Sequence, residues 1–284
     1  METSPRYVLT IKCPDRAGII HCISGALIEA QGNILEQAQF TDEDSGIFCM
    51  RTRFETVETD LQALQTLIAE RVSEFKAELT MRREADHRRA LIMVSAHDHC
   101  LVDLLYRYGN GELPIDIPVI VSNHLVCQPI AERYGVTYIH LPVNADNKPE
   151  QEARLLELIA EYGIDVVVLA RYMQVLSQEL CEKLSGRVIN IHHSFLPGFK
   201  GARPYQQAHE RGVKLIGATA HFVTGDLDEG PIIEQSVERV NHSHTAADLV
   251  EIGRDVERVV LSRAVRLFAE DRLVLTGQRT VVFS

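Results

Sequence analysis

The chain is short of the features that would tie it to a membrane, to nucleic acid or to an oxidising compartment. No apolar run approaches the roughly 18 residues of a membrane-spanning helix. The N-terminus, METSPRYVLTIKCPDR, lacks the apolar core of a secretory signal. Basic charge is in deficit: 29 Lys and Arg stand against 40 Asp and Glu, for a net charge of −11. That balance disfavours sequence-independent binding to nucleic acid or to an anionic membrane surface. The six cysteines, Cys13, Cys22, Cys49, Cys100, Cys127 and Cys181, contain no Cys-x-x-Cys pair and sit mostly in apolar segments. They read as scattered buried thiols. A reduced, cytoplasmic compartment follows, with neither a disulfide framework nor a structural zinc.

What is present is the composition of a soluble globular protein, with 284 residues, enough for one large domain or two smaller ones. Tyr7–Ile11 is a strand pattern. Ala17 to Gln31 is a helix on Ile19, Ile20, Ile23, Leu27 and Ile28, stopped by Gly32. Asn33–Thr41 and Ile47–Glu55 form a hairpin, Asp60–Phe75 a second amphipathic helix and Ala77–Arg83 a fourth strand. The order βαββαβ predicts a ferredoxin-like unit. The charged run Arg82–Arg89 reads as a solvated linker. Strands then alternate with helices from Ala90 to His192, and Val119–Val121 and Val166–Leu169 look like doubly buried strands. This predicts a Rossmann-like, mostly parallel α/β sheet. Two longer strands, Leu215–Val223 and Ile232–Val240, flank an acidic loop. A long helix, Ala246–Glu270, and a small hairpin close the chain. The organisation expected is therefore 1–84, a linker at 85–89, and 90–284.

The chemistry concentrates between Arg187 and Pro231. Val188-Ile189-Asn190-Ile191-His192 alternates as a strand does, so Asn190 and His192 share a face near its C-terminal end. In open α/β sheets that end faces the ligand crevice. Thr224-Gly225-Asp226-Leu227-Asp228-Glu229-Gly230-Pro231 is an acidic loop able to return a carboxylate to His192. An amide that polarises an oxygen, an imidazole that moves a proton and a carboxylate that holds the imidazole can together act on a carbonyl carbon. Blander readings stand beside this one. His192 alone could be a hydrogen-bonded core histidine, and His193 points to the opposite face of the strand. Asp226 competes with Asp228. His97-Asp98-His99 could be half of a metal site, but the sequence places no third ligand, and no metal is expected. His221 could brace the acidic loop or touch the site, and Tyr172 and Met173 could be plain core.

Asn190-Ile191-His192, Ser194-Phe195-Leu196-Pro197 and Leu227-Asp228-Glu229-Gly230-Pro231 resemble the motifs of the folate-dependent formyltransferases. The resemblance selects Asp228 over Asp226 and implies a catalytic trio of Asn190, His192 and Asp228. It also implies that the folate lies along Arg171, Tyr172, Met173, Gln174, Val175 and Leu176, with Val223, Thr224 and Gly225 in the other wall. Lys200 and Arg203 are either surface charges or contacts for the folate's glutamyl tail. Cys13-Pro14-Asp15-Arg16-Ala17-Gly18-Ile19 with Gly32-Asn33-Ile34 resembles the opening of an ACT domain. That resemblance implies an amino-acid effector at Asp15, Arg16, Ala17, Gly18, Ile19 and Asn33, or a module that only dimerises, in a homodimer or homotetramer.

One loop separates the branches of the formyltransferase family. A phosphorylated acceptor needs a glycine-rich cradle at a helix N-terminus. Ser95-Ala96-His97-Asp98-His99-Cys100 has no glycine and adds a carboxylate. An acceptor tRNA would call for a further C-terminal domain and a basic surface, and neither is evident. Asp98–Leu105 and Asp248–Arg266 resemble instead the branch that uses water as acceptor. The implied reaction is hydrolysis of 10-formyltetrahydrofolate to tetrahydrofolate and formate, balancing the folate pool and supplying formate for purine synthesis, with no tightly bound cofactor. The alternatives are formyl transfer to an unidentified amine, and a catalytically inactive amino-acid sensor.

Overall fold

In the computed structural model, residues 4–198 and 204–284 are described; Lys200 and Arg203 lie outside them. The N-terminal strands and helices alternate as β1 (Arg6–Pro14), α1 (Ile19–Glu29), β2 (Asn33–Asp42), β3 (Ile47–Glu55), α2 (Leu61–Arg71) and β4 (Glu78–Arg83). They form a four-stranded sheet in the order β2-β3-β1-β4, antiparallel throughout. One face is dry because both helices lay their apolar stripes on it. Ile19, Ile23 and Leu27 of α1 and Leu64 and Ile68 of α2 pack with Leu9, Ile11, Met50 and Phe54 of the sheet. Asp60 starts α2 by accepting from the backbone of Gln62 and Ala63.

Half of the charged run expected to be a linker is strand. Arg82 and Arg83 belong to β4, and Arg88 and Arg89 open β5 (Arg88–Val94). Arg89 is held there by its backbone N–H donating to Asp165 Oδ2 at 2.7 Å and by its Nε donating to the Tyr162 carbonyl at 2.7 Å. Charge had suggested solvent, but these arginines have fixed acceptors.

After β5 come α3 (His99–Gly109), β6 (Ile115–Ser122), α4 (Gln128–Arg133), β7 (Thr137–His140), α5 (Lys148–Glu161), β8 (Val166–Leu169), α6 (Gln178–Lys183) and β9 (Val188–His192). Next are α7 (Pro204–Glu210), β10 (Leu215–Phe222), β11 (Ile232–Arg239) and α8 (Ala246–Ala269). The seven-stranded sheet has the order β11-β10-β9-β8-β5-β6-β7. From β7 to β9 it is parallel, and β10 and β11 are antiparallel. The runs read as doubly buried are so: every residue of β8 is buried, as are Val119–Val121. Strand order reverses around β5, so the crevice opens beyond the C-terminal ends of β5, β8 and β9. The loops there are tied together. Ser95 N–H donates to the Arg171 carbonyl at 3.2 Å, and Met173 N–H to Ser95 Oγ at 3.0 Å. Helix α8 begins with a capping box in which Thr245 and Asp248 each accept from the other's backbone.

The expected span 90–284 is too long at its end. The closing hairpin, β12 (Leu273–Thr276) and β13 (Arg279–Val282), belongs with the N-terminal unit, which comprises 1–87 and 271–284; the second unit is 88–270. The reason is packing that linear order hides. Val274 and Phe283 bury against Cys49, with Ala38 and Ile47 beside them. Arg82 pairs with Asp271 at 2.5 Å and Arg279 with Asp42 at 3.0 Å.

Candidate active site

Register sets the site. On neighbouring antiparallel strands β9 and β10, Asn190 lies opposite His221, and His192 opposite Thr219. All four side chains share one face. The β10–β11 connection then brings Asp228 back over them. Asp228 adopts φ 57°, a left-handed conformation that Asp and Asn tolerate better than most residues. Gly230 makes the return possible, because a Cβ there would sit 1.7 Å from the Phe222 carbonyl oxygen. The Ser194–Pro197 stretch just after β9 is anchored from below. Thr219 Oγ1 donates to the Ser194 carbonyl at 3.0 Å and accepts from Leu196 N–H at 3.1 Å. Its Leu196–Pro197 peptide is cis.

Within the site, His192 Nδ1 lies 3.2 Å from Asp228 Oδ2, and both side chains are nearly inaccessible. Burial by itself would raise the Asp228 carboxyl. The hydrogen bond from the His192 imidazole outweighs that and holds it well below the ordinary carboxylate range. An ionised Asp228 places the His192 proton on Nδ1, which leaves Nε2 as the lone-pair nitrogen. That Nε2 is buried and has no hydrogen-bond partner among the described residues. His221 Nδ1 donates to the Phe222 carbonyl at 2.8 Å, which makes His221 Nε2 an acceptor for Asn190 Nδ2 at 3.2 Å. The same Nε2 is 3.6 Å from Asp228 Oδ1. One N–H of the Asn190 amide is thus used inside the protein, and the other is left for a ligand oxygen. His221 thus lines the site and is bonded to Asn190.

These groups line a cavity of about 670 Å³. Arg171, Tyr172, Met173, Gln174, Val175 and Leu176 form part of its wall, and Val223, Thr224 and Gly225 another part. Tyr172 is buried with its hydroxyl pushed up to about 12 by that burial, and packs in the core with Leu91 and Leu180; Met173 is exposed. His193 was expected on the opposite face, but it lines this cavity too. The strand ends at His192, so alternation no longer governs the next residue. The His193 ring stacks on His192 with centroids 5.2 Å apart. Burial first, then Arg171 and His192, push the His193 imidazole down to about 4, so it is neutral near pH 7.

A second group of side chains lines the same cavity. Glu257 of α8 is almost fully buried. Its Oε1 accepts from Tyr205 Oη at 2.7 Å, its Oε2 lies 2.7 Å from His99 Nε2, and Arg171 Nε is 3.5 Å from Oε2. Tyr205 comes this close only because residue 253 is glycine, where a Cβ would meet the Tyr205 ring at 2.1 Å. Sequence reasoning missed Glu257, Tyr205 and Arg254. Glu257 carried a signal, since it falls among Val256, Val260 and Ala264 on the apolar stripe of its helix. His99, Cys100 and Glu257 offer ligand atoms within 4.8 Å of one another, the third ligand that was not evident beside His97 and His99. They are a poor fit for a cation. Both Glu257 oxygens are engaged, a guanidinium stands beside one of them, and burial pushes the Cys100 thiol far up. All six cysteines are free, and burial raises Cys49 and Cys127 to about 11.

In the N-terminal unit, Asp15, Arg16, Ala17, Gly18 and Asn33 of the residues expected to take an effector are exposed. Ile19 is buried, Asn33 Nδ2 donates to Glu55 at 3.3 Å, and Arg16 stacks over Phe75 at 5.2 Å. A shallow cavity of about 290 Å³ in this unit is lined by other residues, among them Gln31, Val57 and Leu67.

A strand-end amide and imidazole under a carboxylate loop, at the open end of a mostly parallel sheet, define a formyl-transfer catalytic domain, and residues 88–265 match the family model described as formyl transferase. A formyltetrahydrofolate deformylase of Corynebacterium sp. (strain P-1) is 47% identical over 284 residues, 99% of each chain. The crystal structure of a formyltetrahydrofolate deformylase from Burkholderia mallei superimposes with a TM-score of 0.95 at 49% identity, covering 99% of this chain and 100% of that one. A glycinamide ribonucleotide transformylase from Symbiobacterium toebii aligns with 69% of this chain, at 34% identity and a TM-score of 0.66, and 94% of that chain is covered. The chain belongs to the formyltetrahydrofolate deformylases.

Proposed function

We propose that Asn190, His192 and Asp228 carry out the hydrolysis of 10-formyltetrahydrofolate that this family performs. The observation that carries the reading is His192 Nε2, a buried and unpartnered lone-pair nitrogen on an imidazole whose other nitrogen is held by an ionised carboxylate. With the formyl carbon in the cavity, His192 Nε2 takes a proton from water as the water oxygen bonds to that carbon. The free Asn190 N–H donates to the formyl oxygen as it becomes negative. Asp228 stabilises the resulting imidazolium. The proton then passes to N10, the C–N10 bond breaks, and formate and tetrahydrofolate leave.

The folate lies against Tyr172–Leu176 and Val223–Gly225, whose backbone groups are its main partners. The N-terminal unit is an ACT-like module that pairs with a second copy. Its outer strand β2 leaves one edge unpaired in the sheet and exposes Ile34, Leu35 and Phe40. No helix among the described residues is long and apolar enough to cross a membrane, in keeping with a cytoplasmic enzyme. The test is turnover in ¹⁸O-water with no amine present. One labelled oxygen in each formate supports the reading. Tetrahydrofolate released only when an amine is added, together with an N-formyl amine and no formate, would favour a transformylase.

A further inference from the structure

We propose that Arg171 and Glu257, with Tyr205 and His99 bonded to the Glu257 carboxylate, make this site choose water over amines. They form a wall of the cavity against which an acceptor larger than water would have to fit. The proposal rests on the deformylase reading and concerns the selectivity of the same site.

Three observations carry it. First, Arg171 is costly where it stands. Its φ of 63° is a left-handed conformation that suits glycine, and its Nε and Nη1 are buried without hydrogen bonds among the described residues, Nε meeting Glu257 only as an ion pair. Second, the pair is a buried one, with Arg171 Nε 3.5 Å from Glu257 Oε2 and both side chains nearly inaccessible. A buried ion pair is weak evidence for stability, since desolvation offsets its attraction. Third, its position is next to the chemistry. The pair lines the same cavity as Asn190, His192 and Asp228. Tyr205, bonded to Glu257, lies 6.3 Å by ring centroid from His193, which in turn stacks on His192. Strain and buried charge gathered at one side of a reactive cavity are best explained by what they keep out.

The excluded reaction has a definite form. The nitrogen of a primary amine would bond to the formyl carbon while the C–N10 bond breaks, and a proton lost from that nitrogen would end on N10. The products would be an N-formyl amine and tetrahydrofolate. Water needs only its own volume at the formyl carbon, but an amine must also bring its substituent.

The test uses the full-length protein, ¹³C-formyl-labelled 10-formyltetrahydrofolate and glycinamide at millimolar concentration, with ¹³C NMR reporting formate and N-formylglycinamide separately. The parent is expected to give formate alone. The variant Arg171→Gly with Glu257→Gln removes both charges together and places glycine where the backbone favours it. In it, the N-formyl product should rise at least tenfold as a share of all product. Turnover of this variant to formate alone, at every glycinamide concentration, would overturn the proposal. A second measurement needs no variant. The parent is offered hydroxylamine, methylamine and glycinamide, and capture of the formyl group should fall steeply with size. Equal and substantial capture of all three overturns the proposal even if the double variant is inactive. A parent that releases no formate would strike at the reading of the site itself, not at its selectivity.

Discussion

Replacing Asp228 with Asn tests the catalytic reading with little disturbance elsewhere. Asn adopts left-handed φ values readily, so the backbone at φ 57° is kept. Its side chain has nearly the same shape, and what is lost is the charge. In the parent, Oδ2 sits 3.2 Å from His192 Nδ1, so the charge centres of the imidazolium pair are roughly 4 Å apart. At an effective dielectric of about 20, that attraction is about 4 kcal/mol. It acts mainly after His192 has taken its proton, and so mainly in the transition state. At 1.36 kcal/mol per tenfold, kcat should fall by about 10³, with KM little changed. The assay is formate release in single turnover, which separates chemistry from product release. A kcat within tenfold of the parent would refute the reasoning, since no residual carboxylate remains on His192 Nδ1. Asp226→Asn is the companion variant. Asp226 is exposed, and its change should cost far less.

Other consequences can be measured on the same preparation. Asn190→Ala removes a donor to the developing oxyanion and should lower kcat by about 10²–10³. Gly230→Ala drives a Cβ to 1.7 Å from the Phe222 carbonyl, so the acidic loop must move. We expect thermal stability to drop by about 1–3 kcal/mol and formate release to fall with it. His193 is held neutral down to about pH 4, whereas in the unfolded chain it protonates near 6.5. Below pH 6.5 the unfolded state therefore binds the extra proton, and stability is lost as pH falls from 6.5 to about 4, by about 3 kcal/mol in all. Urea unfolding at several pH values should show that slope in the parent and a shallower one in His193→Asn.

Much of this molecule was legible in one dimension. The periodicities at Ile19–Leu27 and Leu61–Ile68, the apolar runs of β6 and β8, and the alternation in Val188–His192 are local signals. They set the two folding units and put Asn190 and His192 on one face, because side-chain direction in a strand depends only on residue parity. The resemblance in the Leu-Asp-x-Gly-Pro loop singled out Asp228, the carboxylate found beside His192. Tertiary structure decided what depends on distant partners. The Asn190–His221 pairing comes from the register of two strands, and the placing of Asp228 comes from a loop that only Gly230 lets close. His193 joined the cavity because the strand stopped one residue earlier. The Glu257 cluster draws one side chain each from α3, α7 and α8 and one from the loop after β8, residues far apart in sequence and with no shared motif. The closing hairpin went to the N-terminal unit because burial of Val274 and Phe283 on Cys49, with arginines meeting Asp42 and Asp271, outweighs proximity along the chain. Parity and periodicity are written in neighbouring residues, whereas burial and charge pairing are settled only when remote segments meet.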